Sequence, residues 1–112
     1  MLTKEPIVHG NVYHLYNHAN GNINLFRSDE NYRFFLEKYA KYVTPYFDTY
    51  AYCLMPNHFH FLVRVKDERV LSSENDSRDI LKVTNAIKNW LISYTQSYHK
   101  VMEQEVIYTT KR

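Results

Sequence analysis

At 112 residues the chain is long enough for one domain, expected over 1–112, with a core of its own, and its lone cysteine, Cys53, excludes an intrachain disulfide framework. A net charge of +2, from 14 Lys and Arg against 12 Asp and Glu, is too mild to argue for a polyanionic partner on electrostatics alone. The opening stretch MLTKEPIVHGNVYHLY lacks the apolar centre of a secretory signal and no apolar run approaches a membrane span, so the expectation is a cytoplasmic protein with no membrane partner.

Residues 7–17, IVHGNVYHLYN, are rich in β-branched and aromatic side chains and stop at the turn-forming cluster NHANGN, which predicts a strand and then a loop. Alternation places Val12, His14 and Tyr16 on one face of it, and Tyr13 and Leu15 on the other. The next segment, RSDENYRFFLEKYAKYV over 27–43, predicts a helix. Ser28 suits its N-cap and Asp29 and Glu30 its first turn, while Phe35, Leu36, Tyr39 and Val43 recur at helical spacing and Pro45 ends it.

YFDTYAYCLM (46–55) and HFHFLVRVK (58–66) read as two strands joined by Pro-Asn, a connection so short that they must pair antiparallel. DERVLSSENDSRD, 67–79, is polar and free of aromatics, and is expected to be a flexible loop. ILKVTNAIKNWLISYTQSYHKVM, 80–102, predicts a long amphipathic helix with Ile80, Val83, Ile87, Leu91, Tyr94 and Tyr98 on one stripe. The tail QEVIYTTKR is β-prone and predicts a last strand. The order strand, helix, strand, strand, helix, strand is that of the α+β ferredoxin-like split βαβ fold, an antiparallel sheet with two helices on one face. Tyrosine is the compositional outlier at 11 residues, and packing on half-buried sheet surfaces explains it better than base stacking does.

The stretch CLMPNHFHFLV, 53–63, carries the candidate chemistry. On a strand His58 and His60 share a face, and Phe59, Phe61, Val63 and Val65 share the other. The Phe/Val side is uniformly apolar and must be the one the helices cover. The histidines, with Leu62 and Arg64, then lie on the open face, close enough to chelate one divalent ion. Spacing alone favours the plainer reading, two exposed histidines decorating a sheet, because the remaining ligands are not evident. His14 on the neighbouring strand, or Glu103 or Gln104 past the second helix, are the candidates for a third.

YHLYNHANGNINLF followed by a helix, then YAYCLMPNHFHFLVRV, then NAIKNWLISYTQSYHK, resembles the HUH single-strand DNA transposases, in particular the branch of REP-associated tyrosine transposases. The resemblance runs over roughly residues 7–100, and Met55 through Leu62 is its most specific part. It implies that His58 and His60 hold Mg²⁺ or Mn²⁺ against the scissile phosphate of a single DNA strand, and that a tyrosine attacks the phosphorus. The products would be a 5′-phosphotyrosine link and a free 3′-hydroxyl. It also implies a homodimer that recognises hairpin-containing DNA.

The chain departs from that pattern at His18, where family members often carry arginine, and after the second helix. There the family continues into a strand and a helix with a Tyr-Ile-x-x-Asn-Pro signature bearing the nucleophile, and this segment is expected to be missing here. Inside the chain Tyr94 and Tyr98 are the candidate nucleophiles, although both continue an apolar stripe and suit core packing better. Asn17, His18, Asn57, Arg64 and Lys66, at strand ends or on the open face, are the expected DNA contacts, and Tyr16 could stack an unpaired base. The rival reading is a non-catalytic nucleic-acid-binding relative. A metal enzyme unrelated to DNA has only the bare histidine pair in its favour.

Overall fold

The computed structural model describes residues 7–18, 24–67, 79–97 and 107–110. In chain order they form β1 (Val12–His18), α1 (Asp29–Tyr42), β2 (Phe47–Met55), β3 (His58–Val65), α2 (Asp79–Ser97) and β4 (Ile107–Thr110). The strands make one sheet in the order β2-β3-β1-β4, and every neighbouring pair is antiparallel. This is the expected α+β ferredoxin-like arrangement, with β3 beside β1 at the centre. The expected loop over 67–79 lies outside the described residues apart from Asp67 and Asp79, as does the predicted helix beyond Ser97. Among the described residues no helix is long and apolar enough to cross a membrane.

The first strand begins later than its composition suggests. Gly10 sits at φ 85°, a conformation that side chains with a Cβ rarely adopt, and breaks the extended run after Ile7. Its N–H donates to the Val65 carbonyl at 2.8 Å, so the bend is tied to the end of β3 and the strand starts at Val12. α1 begins as expected, with the Ser28 hydroxyl accepting from the Asn31 N–H at 3.2 Å. The Asn31 side-chain oxygen accepts in return from the Arg27 N–H at 2.8 Å, a reciprocal closure of the kind a capping box makes.

The core lies between the sheet and the two helices. β3 buries Phe59, Phe61, Val63 and Val65, β1 buries Tyr13 and Leu15, and α2 buries Val83, Ala86, Ile87, Trp90, Leu91 and Tyr94. Phe35 of α1 stands at the centre, its ring 4.6 Å from that of Trp90, 4.9 Å from Phe26, 5.0 Å from Tyr94 and 5.1 Å from Phe59. Trp90 also donates its indole N–H to the Phe35 carbonyl at 3.1 Å, so the two helices are joined by a hydrogen bond inside the aromatic cluster. At the sheet edge β2 carries a bulge between Thr49 and Ala51.

Phe35→Ala is expected to remove about 3–5 kcal/mol of stability, read as a fall in the urea midpoint. A loss below about 0.5 kcal/mol, the range of ordinary exposed positions, would show that the cluster is not centred on this ring.

Candidate functional site

Because β3 buries its odd-numbered residues, its even-numbered ones line the face that the helices leave open. Register fixes their neighbours. Across from β3, His18 pairs with His58, Tyr16 with His60, His14 with Leu62 and Val12 with Arg64. On the other side Met55 pairs with His58 and Cys53 with His60. The open face therefore gathers His14, Tyr16 and His18 of β1 with His58 and His60 of β3. Beside them His14, Cys53, His60 and Leu62 take part in lining a shallow depression of about 310 Å³.

The His58 and His60 rings stand 5.1 Å apart, centre to centre, and nearly perpendicular at 85°. An ion about 2.1 Å from one nitrogen of each ring would sit about 3.2 Å from each ring centre, and bond angles of about 90–110° then put the centres about 4.6–5.3 Å apart. The separation of the two ring centres falls within that range. His58 Nδ1 lies 2.7 Å from the Asn57 side-chain oxygen, and His60 Nδ1 lies 2.8 Å from His14 Nε2. His14 also stacks on Tyr16 at 4.5 Å and runs nearly parallel to His60 at 5.0 Å. Partial burial, and secondly the charge of His58, hold the pKa of His60 below its ordinary value. Its ring thus stays neutral, the form that can ligate, to lower pH than a free histidine.

The expected third ligand does not emerge. His14 is on the predicted face, but its Nε2 is spent on His60 Nδ1, so it supports that ring. Glu103 and Gln104 lie outside the described residues. Among the described residues no group of three or more His, Cys, Asp or Glu is arranged to hold a metal ion.

Of the expected DNA contacts, Asn57 and His18 are exposed, at the turn into β3 and the end of β1. Lys66 is half-buried just past β3, where its carbonyl meets His9 Nδ1 at 3.0 Å. Arg64 is on the open face but paired, its guanidinium 2.9 Å from Asp67 and 3.6 Å from Asp48. Such exposed pairs are worth about 0–1 kcal/mol and yield to a stronger anion.

Asn17 corrects the expectation. It falls on the helix-covered side of β1, only 1% exposed, and its side-chain oxygen accepts from the His18 N–H at 2.8 Å. An odd-numbered residue on this strand points into the core, and an intramolecular hydrogen bond makes its burial tolerable.

Tyr94 is a second correction. It is fully buried against Phe35 and Phe26, and its hydroxyl donates to the Leu25 carbonyl at 2.7 Å, on the far side of the sheet from the histidines. It cannot reach a phosphate there. Tyr98 lies outside the described residues. Tyr39 is no substitute, since burial pushes its hydroxyl up to about 12 against the opposing hydrogen bond from Thr49.

Three features escaped the sequence reading: the Asn57–His58 contact, the His14–His60 contact, and Cys53 beside His60. The first was in principle legible, because Asn57 is the residue before His58. The other two depend on register between strands, which no local pattern carries.

No family model and no curated protein matches the chain by sequence. A solved structure of a REP-associated tyrosine transposase bound to a REP hairpin superposes on it with a TM-score of 0.60, covering 100% of this chain and 62% of that one at 8% identity. At that identity the likeness is one of fold, a distant relationship in architecture, and the chain spans 62% of the neighbour's length.

His58→Gln is expected to move the His60 titration part of the way back toward the ordinary histidine value of 6.5, followed by NMR of the ring protons. Part of the depression stays because burial is its larger cause. The sign for stability follows: the unfolded chain takes up this proton first, so the contribution is complete above the ordinary value and declines as the pH falls toward the folded one. An unchanged His60 titration in the variant would refute the coupling.

Proposed function

We propose that the chain is a single-stranded-DNA-binding domain of the HUH transposase type, acting on hairpin-containing DNA as a homodimer, with His58 and His60 holding a divalent cation. The observation that carries this reading is a pair of suitably spaced imidazoles on the open face of a central strand, in a fold shared with a hairpin-bound transposase. The ion, Mg²⁺ or Mn²⁺, would draw charge from the non-bridging oxygens of a phosphate. Imidazole nitrogens suit Mn²⁺ better than the oxygen-seeking Mg²⁺.

The chain's own groups would hold the strand. His18 and Asn57 offer donors at one end of the open face, Lys66 and Arg64 a charge each at the other. Arg64 would exchange a carboxylate partner for a phosphate, which keeps its charge paired throughout. Tyr16 offers a ring on the same face for an unpaired base.

Strand cleavage also needs a nucleophile: a tyrosine hydroxyl that loses its proton, bonds to phosphorus and expels the 3′-oxygen, leaving a phosphotyrosine that conserves the bond for rejoining. With Tyr94 sealed in the core, Tyr98 is the remaining named candidate. The burial of Tyr94 is also what favours the second reading, a nucleic-acid-binding relative that does not cleave.

A labelled single strand bearing a hairpin, incubated with the protein and Mn²⁺, separates these. Retention on native gels is expected, weakened at least several-fold in His60→Ala. A covalent adduct on denaturing gels that survives Tyr94→Phe and disappears in Tyr98→Phe would mark the transposase, and retention without an adduct the non-cleaving relative. No preference for the hairpin strand over a duplex of equal length would overturn both.

A further inference from the structure

We propose that Asn57 and His14 are positioning residues that hold His58 and His60 in one tautomer, with the proton on Nδ1, so that each ring turns an unprotonated Nε2 to the open face. The metal assignment above is the premise for why this matters and, at His60, for which ring donates; the tautomers themselves are a property of the metal-free protein.

For His58 the argument is direct. An amide oxygen only accepts hydrogen bonds, and that of Asn57 lies 2.7 Å from His58 Nδ1. The proton must therefore be on Nδ1. A neutral imidazole has one N–H, so Nε2 keeps its lone pair. The turn that carries Asn57 is itself held from the core. The Pro56 carbonyl accepts from the N–H groups of Leu25 and Phe26 at 2.8 and 3.0 Å, and both of those residues are buried. The Leu25 carbonyl in turn accepts from the Tyr94 hydroxyl at 2.7 Å. A continuous path, α2 to Leu25 to the Pro56–Asn57 turn to His58, thus ties a half-buried imidazole to the aromatic core. This is also a use for Tyr94 other than attack on a phosphate.

For His60 the contact is between two ring nitrogens, His60 Nδ1 and His14 Nε2, 2.8 Å apart. One of them carries the shared hydrogen. If His14 donated, the proton of a neutral His60 would sit on Nε2 and no lone pair would face the open side. A ligand role for His60 therefore requires His60 to donate and His14 to accept, with the proton of His14 on Nδ1. Outer partners of this kind set ring orientation and basicity in metal sites, and their loss typically weakens metal binding by about 10–100-fold.

Long-range proton–nitrogen NMR spectra of the metal-free protein, taken well above the histidine titration range, read the two ring nitrogens separately. The expected result is a protonated Nδ1 and a bare Nε2 for both His58 and His60. Asn57→Ala should release His58 into a mixture of tautomers and weaken Mn²⁺ binding at least about tenfold, while His60 keeps its signature as an internal check on folding. Asn57→Asp, which retains an accepting oxygen, should restore the His58 tautomer. His14→Phe, which keeps a ring for Tyr16 to stack on, should release His60 alone. A proton on Nε2 of either ring in the wild-type protein, or tautomers unmoved by these variants, would overturn the proposal. Both rings in the Nδ1–H form with no Mn²⁺ uptake would sustain it and bring down the metal assignment instead.

Discussion

The orientation of β3 is the constraint on which the rest depends. Its four buried side chains, Phe59, Phe61, Val63 and Val65, each gain about 1.5–3 kcal/mol from leaving water. Together that is on the order of 6–12 kcal/mol, comparable with the whole net stability of a small domain. A slip of one residue would exchange these for His58, His60, Leu62 and Arg64, and so bury two imidazoles and a guanidinium in an aromatic core. The histidines therefore face outward because the phenylalanines must face inward, whatever the histidines do there.

The same aromatic core reaches the open face through hydrogen bonds. Phe26 and Leu25 are packed under α1 and α2, yet their N–H groups hold the Pro56 carbonyl, and the next residue meets His58. On the other flank His14, Tyr16 and His60 form a cluster of rings on adjacent strands. The candidate site is thus built on two central strands and a pinned turn. Such a frame holds side chains more closely than a loop does, which suits the ion-sharing role proposed for the histidine pair.

Phosphate chemistry at such a pair needs three contributions: charge withdrawal, a hold on the strand and a nucleophile. In the proposed reading the first two would come from one surface, that of the histidines and the depression beside His60. The tyrosines divide differently. Tyr13, Tyr39 and Tyr94 belong to the core, and Tyr16 lies with the histidine rings. An abundance of tyrosine in the composition reflects in good part the packing of this core, where a ring fills volume and the hydroxyl finds a backbone or side-chain partner.

Much of this was determined by local pattern. The helix over 29–42 with its Ser28 cap, the Pro-Asn hairpin, the two faces of β3, the stripe on α2 and the strand order implied by the element order all follow from periodicity and capping, forces that act between residues near in sequence. What only the tertiary structure decided involves partners far apart. Asn17 looked like a residue at the end of an exposed strand, but the parity of β1 sends it under the helices. Gly10 shortened that strand through a bond to Val65. His14 became a hydrogen-bond partner of His60 across 46 positions of chain, and Arg64 acquired two carboxylates from segments before and after it. The alternation of β1 already put Asn17 on the face of Tyr13 and Leu15, and Asp67 lies only three residues from Arg64. The bond of Gly10 to Val65, that of His14 to His60 and the pairing of Arg64 with Asp48 depend instead on strand register and on the bend of a connecting segment. These arise from packing of the whole domain and leave no trace in the spacing of the residues themselves.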